Sequence, residues 1–212
     1  MTPKQQAKKL LAEKLIEKME KRRFEASYVQ TKEEALEKVK SYLKKGSSVT
    51  WGGSMSLAEI GFNDFIKDNQ DYIVLDRDKA KKDGTIKEFF KDAYLADYFL
   101  MSSNAITMDG ELINIDGNGN RVSLLCHGPE NVIIVASMNK IANNVDDAIA
   151  RIKREACPPN TIRLGCKTPC AITGICGDCL SPDCICAQTV ITRFSRVPGR
   201  IKVILVGEEL GF

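Results

Sequence analysis

Histidine, tryptophan and long apolar runs are all scarce in this sequence, and each scarcity excludes a class of function. The 212 residues include one histidine and one tryptophan, and aromatic residues make up 7% of the chain. With His127 as the only imidazole, acid–base or nucleophilic chemistry would depend mainly on carboxylates. The longest apolar runs, such as 132–136, are much too short to span a bilayer. Because no apolar signal region is present at the charged N-terminus, we expect a cytoplasmic protein without a membrane partner.

Basic residues are concentrated in the first part of the chain but are not patterned for nucleic acid. Lys and Arg outnumber Asp and Glu in the first fifty residues, which account for the formal net charge of +3. No basic stripe is interleaved with aromatic residues, so we expect no nucleic-acid partner. Residues 1–22 predict an amphipathic helix that could pack on the core or serve a homo-oligomer. The remaining residues, 23–212, are expected to form a single α/β domain.

Strand and helix patterns alternate through the first hundred residues. The strand patterns lie at 24–30, 49–51, 72–75 and 98–101, and the helical patterns between them lie at 31–43, 57–66 and 86–96. This alternation predicts a parallel sheet with helices on both faces.

The pattern changes after residue 101. Three short strands are predicted with only turns between them, at 112–115, 122–126 and 132–136. Residues 116–120 are rich in Gly and Asn and are typical of a hairpin turn, so this region should contain antiparallel pairing. Asn144 should cap a helix that the sequence Cys157-Pro158-Pro159 ends. Residues 188–194 and 201–206 predict a further antiparallel hairpin at the edge of the sheet.

A glycine turn between a strand and a helix is the first candidate binding element. Gly52 and Gly53 lack Cβ atoms that would keep a ligand from the backbone, and Ser54 can cap the following helix. Outward-pointing amides at the positive end of that helix would favour a phosphate or a carboxylate. The spacing matches neither a Walker loop nor a Rossmann fingerprint, so a tight turn with nothing bound explains the same residues.

Polar residues that follow predicted strands extend this candidate site. Asp76 comes directly after a strand, where open α/β sheets place ligand contacts, and it could equally cap the next helix. Arg121 follows the turn at 116–120, and Lys140 follows the strand at 132–136. Both side chains could bind an anion, and we therefore expect a cleft at the strand ends for a small anionic metabolite.

Six of the eight cysteines lie between residues 166 and 186, in a stretch with few apolar side chains. Such a segment needs disulfide bonds or a bound metal to be stable, and a reducing compartment argues against disulfides. The Cys176-x-x-Cys179 pair and the neighbouring thiols could bind zinc or an iron–sulfur cluster. Reduced or redox-exchanging thiols are the alternative. Cys126 and Cys157 stand apart and are expected to be ordinary buried residues.

Three stretches together resemble the lactate-utilisation (LUD) domain family: residues 104–122, the turn at 52–61 and the cysteine-containing run at 167–186. The resemblance covers nearly the whole chain. It implies a Rossmann-like, mostly parallel sheet flanked by helices, with an antiparallel β excursion, similar to the NagB/RpiA/CoA-transferase group. It also implies a Cys-rich C-terminal segment, residues 157–187. Within the matching stretches it adds three residues to the ligand-binding set, which are Asn104, Gly110 and Asn120.

Members of this family are associated with oxidation of L-lactate to pyruvate beside iron–sulfur partner proteins. The resemblance therefore implies a component of lactate or organic-acid utilisation that binds a small carboxylate or phosphate-bearing ligand. In the branch with a C-terminal cysteine motif, the recurring thiols correspond to Cys170, Cys176, Cys179 and Cys186. These thiols imply a 4Fe–4S cluster or zinc. Cys184 stands where that branch has an arginine.

Two other classes of function stay open at the level of sequence. A CoA-transferase-like or sugar-phosphate-isomerase-like enzyme would use a carboxylate, for which Glu59 and Glu111 are the candidates. A surface or capping role explains each of these glutamates as well. A non-catalytic ligand-binding protein is the third class, because function belongs to the site and not to the fold.

Overall fold

Ten strands form two sheets in the computed structural model, which describes every residue from Met1 to Phe212. The strands are β1 (Glu25–Val29), β2 (Ser48–Trp51), β3 (Ile73–Leu75), β4 (Tyr98–Met101), β5 (Ala105–Thr107), β6 (Leu112–Asp116), β7 (Asn131–Ser137), β8 (Ile141–Ala142), β9 (Gln188–Thr192) and β10 (Ile201–Val206). The helices are α1 (Pro3–Lys21), α2 (Lys32–Tyr42), α3 (Met55–Glu59), α4 (Phe62–Ile66), α5 (Arg77–Lys82), α6 (Ile86–Tyr94), α7 (Asn120–His127), α8 (Val145–Arg151), α9 (Cys157–Arg163) and α10 (Pro169–Thr173). A 3₁₀ turn covers Met138–Lys140, and a π-helical turn covers Ile152–Ala156.

The larger sheet has six strands in the order β1-β10-β7-β4-β2-β3, and every neighbouring pair is parallel. All six carboxyl ends therefore lie along one edge, which we call the carboxyl edge. The smaller sheet has the order β8-β5-β6-β9, with antiparallel pairing of β5 with β6 and of β6 with β9. The predicted α/β class, a mostly parallel sheet with an antiparallel excursion, is confirmed.

Helices cover both faces of the larger sheet because its central strands are apolar on both sides. In β7, Val132 and Ile134 pack on the face covered by α1, α5, α6 and α7. Ile133 and Val135 point to the opposite face, where α2, α3 and α4 pack. Such continuous apolar runs are typical of parallel strands buried on both faces. A third apolar cluster joins the smaller sheet to α8 and the π-helical turn.

The amphipathic helix predicted at residues 1–22 is α1, and it belongs to the main core. A capping box at Thr2 begins it, and Ala12, Leu15 and Met19 are buried against the sheet. Ala7, more than one turn before Ala12, is exposed. None of the helices is both long and apolar enough to cross a bilayer.

Residues 122–126, predicted as a strand, belong to helix α7, and that prediction is wrong. The run Val-Ser-Leu-Leu-Cys is short, so its periodicity does not separate the two conformations. The preceding residues, 116–120, consequently form a strand-to-helix loop instead of a hairpin turn. The Asp116 carboxylate accepts a hydrogen bond from the Gly119 amide at 3.1 Å, which fixes this loop before α7 begins.

The predicted hairpin of 188–194 with 201–206 is also wrong. Residues 201–206 form β10, which lies between β1 and β7 and is parallel to both. Residues 188–192 form β9, which pairs antiparallel with β6 in the other sheet. The two segments are neighbours along the chain, but the nearly continuous apolar character of β10 requires burial on both faces, which a hairpin at the edge does not provide.

Two predicted helix boundaries change as well, and one strand lies at the edge of its sheet. The helix capped by Asn144 does not end at residues 157–159, because the π-helical turn leads directly into α9. Prolines are tolerated there since they occupy the first positions of α9, where backbone N–H groups lack helical partners. The helix predicted at 57–66 is split into α3 and α4 at Gly61, which has φ +80°. Strand β3 lies at the sheet edge and leaves Ile73 60% exposed.

Candidate ligand-binding site

A cavity of about 670 Å³ lies at the carboxyl edge of the larger sheet. Its walls are the segments that follow β2, β3, β4 and β7, together with the loop into α7 and part of α9. Strand ends of an open α/β sheet are the usual location of ligands. Six of the predicted binding residues line this carboxyl-edge cavity: Gly53, Ser54, Asn104, Asn120, Arg121 and Lys140.

The remaining predicted binding residues do not line the cavity. Asp76 is the N-cap of α5, with its carboxylate accepting hydrogen bonds from the amides of Asp78 at 2.7 Å and Lys79 at 3.2 Å. Gly110 has φ +85° and lies against the C-terminal part of α1, where a Cβ atom would be 3.1 Å from the Met19 amide nitrogen. Both residues have local structural roles, a helix cap and a close backbone contact.

The two candidate catalytic glutamates also lie outside the cavity. Glu59 accepts a hydrogen bond from the Gly211 amide at 2.8 Å and so positions residues 210–212. Glu111 accepts a hydrogen bond from the Thr107 hydroxyl at 3.2 Å and pairs with Arg22, the residue after α1, at 3.5 Å. Neither carboxylate is placed to transfer a proton to a ligand in the cavity.

Gly52 makes room for a side chain, not for a ligand. A Cβ atom at this position would lie 3.3 Å from Cδ of Arg121. The missing side chain therefore lets the arginine pass beneath the β2–α3 turn. Gly53, one residue later, does line the cavity, and its nearest neighbour is the guanidinium of Arg77.

Arg121 connects the larger sheet to the smaller one. One terminal nitrogen donates to the Ser102 carbonyl at 3.1 Å and to Asn114 Oδ1 at 2.7 Å. The other donates to Asn104 Oδ1 and to the Ile115 carbonyl, both at 2.8 Å. The remaining nitrogen, Nε, lies 3.4 Å from a carboxylate oxygen of Asp116. The protein itself therefore engages all three nitrogens of this guanidinium, through four hydrogen bonds and one ion pair.

Asn104 supports the same junction. Its Oδ1 accepts hydrogen bonds from Arg121 and from the Ile115 amide, the latter at 3.0 Å. Asn114, which is fully buried, accepts from the Asn104 amide at 3.3 Å through its own Oδ1. The Nδ2 group of Asn114 has no hydrogen-bond partner. The predicted cluster is therefore real, but its hydrogen bonds hold the wall of the cavity together.

Lys140 is the buried cation of the cavity. Its side chain follows β7 and is only 4% exposed. The amine donates to Ser56 Oγ at 2.9 Å and to Ser102 Oγ at 3.1 Å. No carboxylate oxygen lies within 4.0 Å of Nζ, so Lys140 forms no ion pair. A buried charge without a counter-ion is rare because its desolvation is not offset.

The environment of Lys140 disfavours its charged form. Burial is the main cause, followed by the positive charge of Arg151, and together with Arg121 they lower the pKa of Lys140 to about 7. The carboxylate of Glu59 acts in the opposite direction and is too weak to compensate. The amine is consequently balanced between its neutral and charged forms near neutral pH, which is typical of functional lysines.

Positive charge exceeds negative charge around the cavity. The charged lining residues are five basic ones, Arg77, Lys81, Arg121, Lys140 and Arg163, and two acidic ones, Asp78 and Asp116. Asp116 pairs with Arg121, and Asp78 lies 3.4 Å from Arg77. Lys81, Lys140 and Arg163 have no carboxylate partner within 4.0 Å. The field in the cavity therefore favours an anion.

The N-terminus of α7 adds to this preference. Helix α7 begins after Gly119, which has φ +76°, and no side chain caps its first turn. Asn118, Asn120 and Arg121 around this helix start line the cavity. The first amides of a helix lack internal partners and carry partial positive charge, so they can bind an anion.

A larger and more open groove of about 1060 Å³ lies at the opposite, amino edge of the sheet. It is bounded by the end of α7, including Cys126 and His127, and by residues 190–201. Its Arg200 donates to the carbonyls of Leu124, Leu125 and Pro129, at the end of α7. This arginine caps a helix, and the groove contains no buried unpaired charge. We therefore place the candidate site at the carboxyl edge.

The cysteine segment, residues 157–187, contains seven free thiols. The pKa of Cys157 is raised to about 12, first by burial and then by the neighbouring Cys186, Cys176 and Cys170. Burial likewise raises the pKa of Cys186 to about 11, with Cys184, Cys176 and Cys179 adding to the effect. Cys186 packs against the apolar cluster that contains Cys157, so Cys157, which the sequence set apart, lies near the cysteine-rich run.

Cys170 differs from these thiols. Burial raises its pKa, but hydrogen bonds with Thr161 and Thr168 and with two backbone amides outweigh burial, so the pKa is lowered overall. The two threonine hydroxyls lie 3.5 Å and 3.3 Å from its sulfur. Thiolate donors suit zinc or iron–sulfur centres, although no three His, Cys, Asp or Glu side chains are grouped here at metal-binding distances.

Several residues of the site were not predicted from the sequence. Ser102 directly follows β4, so the rule that identified Lys140 after β7 applies to it as well. Ser56 lies two residues after Ser54, which caps α3 as expected by accepting from the Leu57 amide at 3.3 Å. Arg163 lies on α9, beyond the prolines that were expected to end the helix. No local signal marks Arg163 as part of the cavity.

Comparisons with known proteins agree with this architecture. A family model described as the LUD domain matches residues 12–206. The chain is also similar to a crystal structure of a DUF162 family protein from Deinococcus radiodurans, with a TM-score of 0.52 and 12% sequence identity. That likeness covers 94% of this chain and 98% of the other, and at such identity it shows the fold alone. No curated protein matches the chain.

Proposed function

This chain belongs to the LUD domain family, and from that premise we propose that it binds a small carboxylate metabolite in the carboxyl-edge cavity. The ligand belongs to the chemical class of lactate and pyruvate, and the protein acts in organic-acid utilisation. The observation that carries this proposal is Lys140, a buried cation without a counter-ion in the wall of a cavity with an excess of basic side chains. A bound carboxylate supplies the missing negative charge.

The positions of the protein's own acidic side chains favour ligand binding over a transferase or isomerase reaction that uses a Glu or Asp side chain. Glu59 and Glu111 are held by Gly211 and Arg22 and do not line the cavity. The Asp116 carboxylate pairs with Arg121, and Asp78 is an exposed residue at the rim. No acidic group is therefore free to act as nucleophile or base on a ligand beside Lys140.

Thermal unfolding in the presence of candidate ligands tests the proposal. Lactate and pyruvate should raise the melting temperature by about 5 °C or more when their concentration exceeds Kd about a hundredfold. The uncharged amide of lactic acid should have no effect. Titration calorimetry then gives Kd and shows whether binding takes up protons, as it should when an anion raises the pKa of Lys140.

Two variants make the test specific. Lys140→Met removes the buried cation, and it should abolish the ligand-induced shift. Lys45→Met removes one exposed lysine, which pairs with Asp71 outside the cavity, and should bind as the wild type does. The proposal fails if lactate and pyruvate leave the wild-type melting temperature unchanged, and a shift with phosphate, sugar phosphates, nucleotides or CoA alone would assign the cavity to a phosphate-bearing ligand instead.

We further propose that thiols of the cysteine segment hold zinc or an iron–sulfur centre. Cys170, Cys176, Cys179 and Cys186 remain the ligand set implied by the family resemblance, and Cys157 lies beside them. Zinc would stabilise a segment that lacks a core, whereas a cluster would exchange electrons with an iron–sulfur partner protein. Metal analysis and visible absorption of protein purified without air distinguish the two, and metal-free, colourless protein would refute both.

A further inference from the structure

We propose that Lys140 is a nucleophilic amine that forms an imine with the carbonyl carbon of a small 2-oxo acid bound in the carboxyl-edge cavity. This inference rests on the proposed carboxylate binding and adds a covalent step to it. It specifies the ligand class more narrowly, because an imine requires a ketone or aldehyde carbonyl that lactate itself does not have.

The hydrogen bonds of Lys140 leave one position on its nitrogen free. Nζ donates to Ser56 Oγ and to Ser102 Oγ. The serine hydroxyls donate in turn to backbone carbonyls, Ser56 to Leu210 at 3.5 Å and Ser102 to Ser103 at 3.3 Å. The serines therefore act as acceptors toward the amine. When the amine is neutral, its lone pair occupies the third position, and no protein atom accepts or donates there.

This arrangement distinguishes a nucleophilic lysine from a serine–lysine pair. A lysine that activates a serine must accept the hydroxyl proton, which requires the lone pair to point at the serine oxygen. Here each serine oxygen lies within 3.5 Å of a backbone carbonyl that can accept its hydroxyl proton, which leaves both oxygens to accept N–H groups from the amine. The reactive lone pair thus belongs to the lysine, and the serines orient it.

The surrounding charges keep a useful fraction of the amine neutral. Arg151 of α8 donates hydrogen bonds to the backbone carbonyls of Asn104 and Asn139. Because Asn139 directly precedes Lys140, the positive charge of Arg151 lies close to the lysine. Arg121 of α7 acts from the other side, and Glu59 of α3 is the one carboxylate that opposes them. Two cationic neighbours and burial activate a lysine as a nucleophile in the same way in other imine-forming sites.

A 2-oxo acid suits both the excess of basic side chains in the cavity and the nucleophilic amine of Lys140. Its carboxylate would offset the positive charge beside Lys140, where Lys81, Arg163 and the first amides of α7 are further partners in the same cavity. Its carbonyl would meet the amine at the cavity wall. Gly211 is required for this approach, since a Cβ atom there would lie 2.7 Å from Ser56 Oγ and 3.3 Å from Lys140 Nζ.

The proposed step balances without an oxidant or a further reactant. The neutral amine attacks the carbonyl carbon, forming the C–N bond as the C–O π bond opens, and one N–H proton moves to the carbonyl oxygen to give a carbinolamine. The C–O bond of the carbinolamine then breaks, and the leaving hydroxide takes the remaining N–H proton and departs as water. The product is an imine between Lys140 and the 2-oxo acid, and the reaction releases one water molecule.

Reductive trapping with pyruvate tests this inference on the intact protein. Sodium borohydride added to protein and pyruvate transfers hydride to the imine carbon and leaves a stable secondary amine on the lysine. Intact-mass measurement should show one reduced pyruvate adduct, and peptide mapping should locate it on Lys140. Near neutral pH, labelling of Lys140 should exceed that of an exposed lysine such as Lys45 by about tenfold or more, because far more of its amine is neutral.

Control samples separate this inference from carboxylate binding itself. Propionate has the carboxylate but no carbonyl, so it should raise the melting temperature, form no adduct and slow trapping of pyruvate. Lys140→Met should lose the adduct, whereas Lys81→Met should still form it at reduced yield. If propionate and pyruvate stabilise the protein but Lys140 stays unlabelled, the imine is refuted and the binding proposal stands. If neither ligand binds, both proposals fail.

Discussion

Replacing Lys140 with methionine should stabilise the fold, by an amount that depends on pH. The pKa of Lys140 falls from 10.5 to about 7 on folding. At 1.36 kcal/mol per unit, this difference sets an upper limit of about 5 kcal/mol on the cost of folding with the charged amine. Methionine is flexible and apolar, and it fills similar space without a charge to desolvate.

The sign of the pH dependence follows from proton counts. The unfolded chain keeps this amine protonated up to its ordinary pKa, whereas the folded protein releases the proton near pH 7. Between these values the unfolded state binds one proton more, so wild-type stability rises with pH. Below pH 7 both states are protonated, and the full cost is present. The advantage of Lys140→Met should therefore shrink by about 2 kcal/mol from about pH 7 to about pH 9.

Urea unfolding followed by tryptophan fluorescence measures this difference. Trp51 is the only tryptophan, and its ring packs edge-on against Phe62 at 5.9 Å, so unfolding changes its environment. Thiol ionisation also varies over this pH range, but it is common to wild type and variant and cancels in the difference. Lys45→Met serves as the control for loss of one exposed charge. Parallel stability curves for wild type and Lys140→Met would refute the reasoning.

Three further predictions concern the junction, residues 210–212 and the thiols. Arg121→Ala should destabilise the protein by about 3 kcal/mol or more in urea unfolding, since buried acceptors lose a charged donor; an unchanged midpoint would contradict the network. Gly211→Ala should weaken pyruvate binding in calorimetry, because φ is +57° and the added methyl group would collide with Ser56 Oγ; wild-type affinity would show that this contact is easily relieved. Cys176→Ser should lower the metal content of protein purified without air, whereas Cys126→Ser, at the amino-edge groove, should not. Equal metal content in both variants would place the metal elsewhere.

Local chemistry made some elements predictable from the sequence. Asn144 caps α8 as expected, with a hydrogen bond from the Asp147 amide at 2.9 Å, and Thr31, at the start of the predicted helical pattern, caps α2 with one from the Glu34 amide at 3.2 Å. Capping depends on residues within one turn, so the sequence contains all the information required. The position of β10 was not predicted, because pairing with β1 and β7 depends on contacts across the whole chain.

The same distinction applies to the candidate site. Lys140 and Arg121 were both predicted as anion ligands from their positions after a strand or a turn. Their different roles follow from partners distant in sequence: Arg121 reaches Asn104, seventeen residues away, while Lys140 meets only serines. Sequence position indicated which side chains approach the cavity. It could not show which of them keeps a donor free for a ligand.

The place of β10 between β1 and β7 also affects how the protein can fold during synthesis. Strand β1 pairs only with β10 in its sheet. Because β1 is near the start of the chain and β10 near its end, β1 leaves the ribosome long before β10 is made. Until then, β7 presents an apolar and unpaired edge, and such edges readily join strands of other chains. Nascent chains should therefore be prone to association until residues 201–206 emerge and pair with β1 and β7.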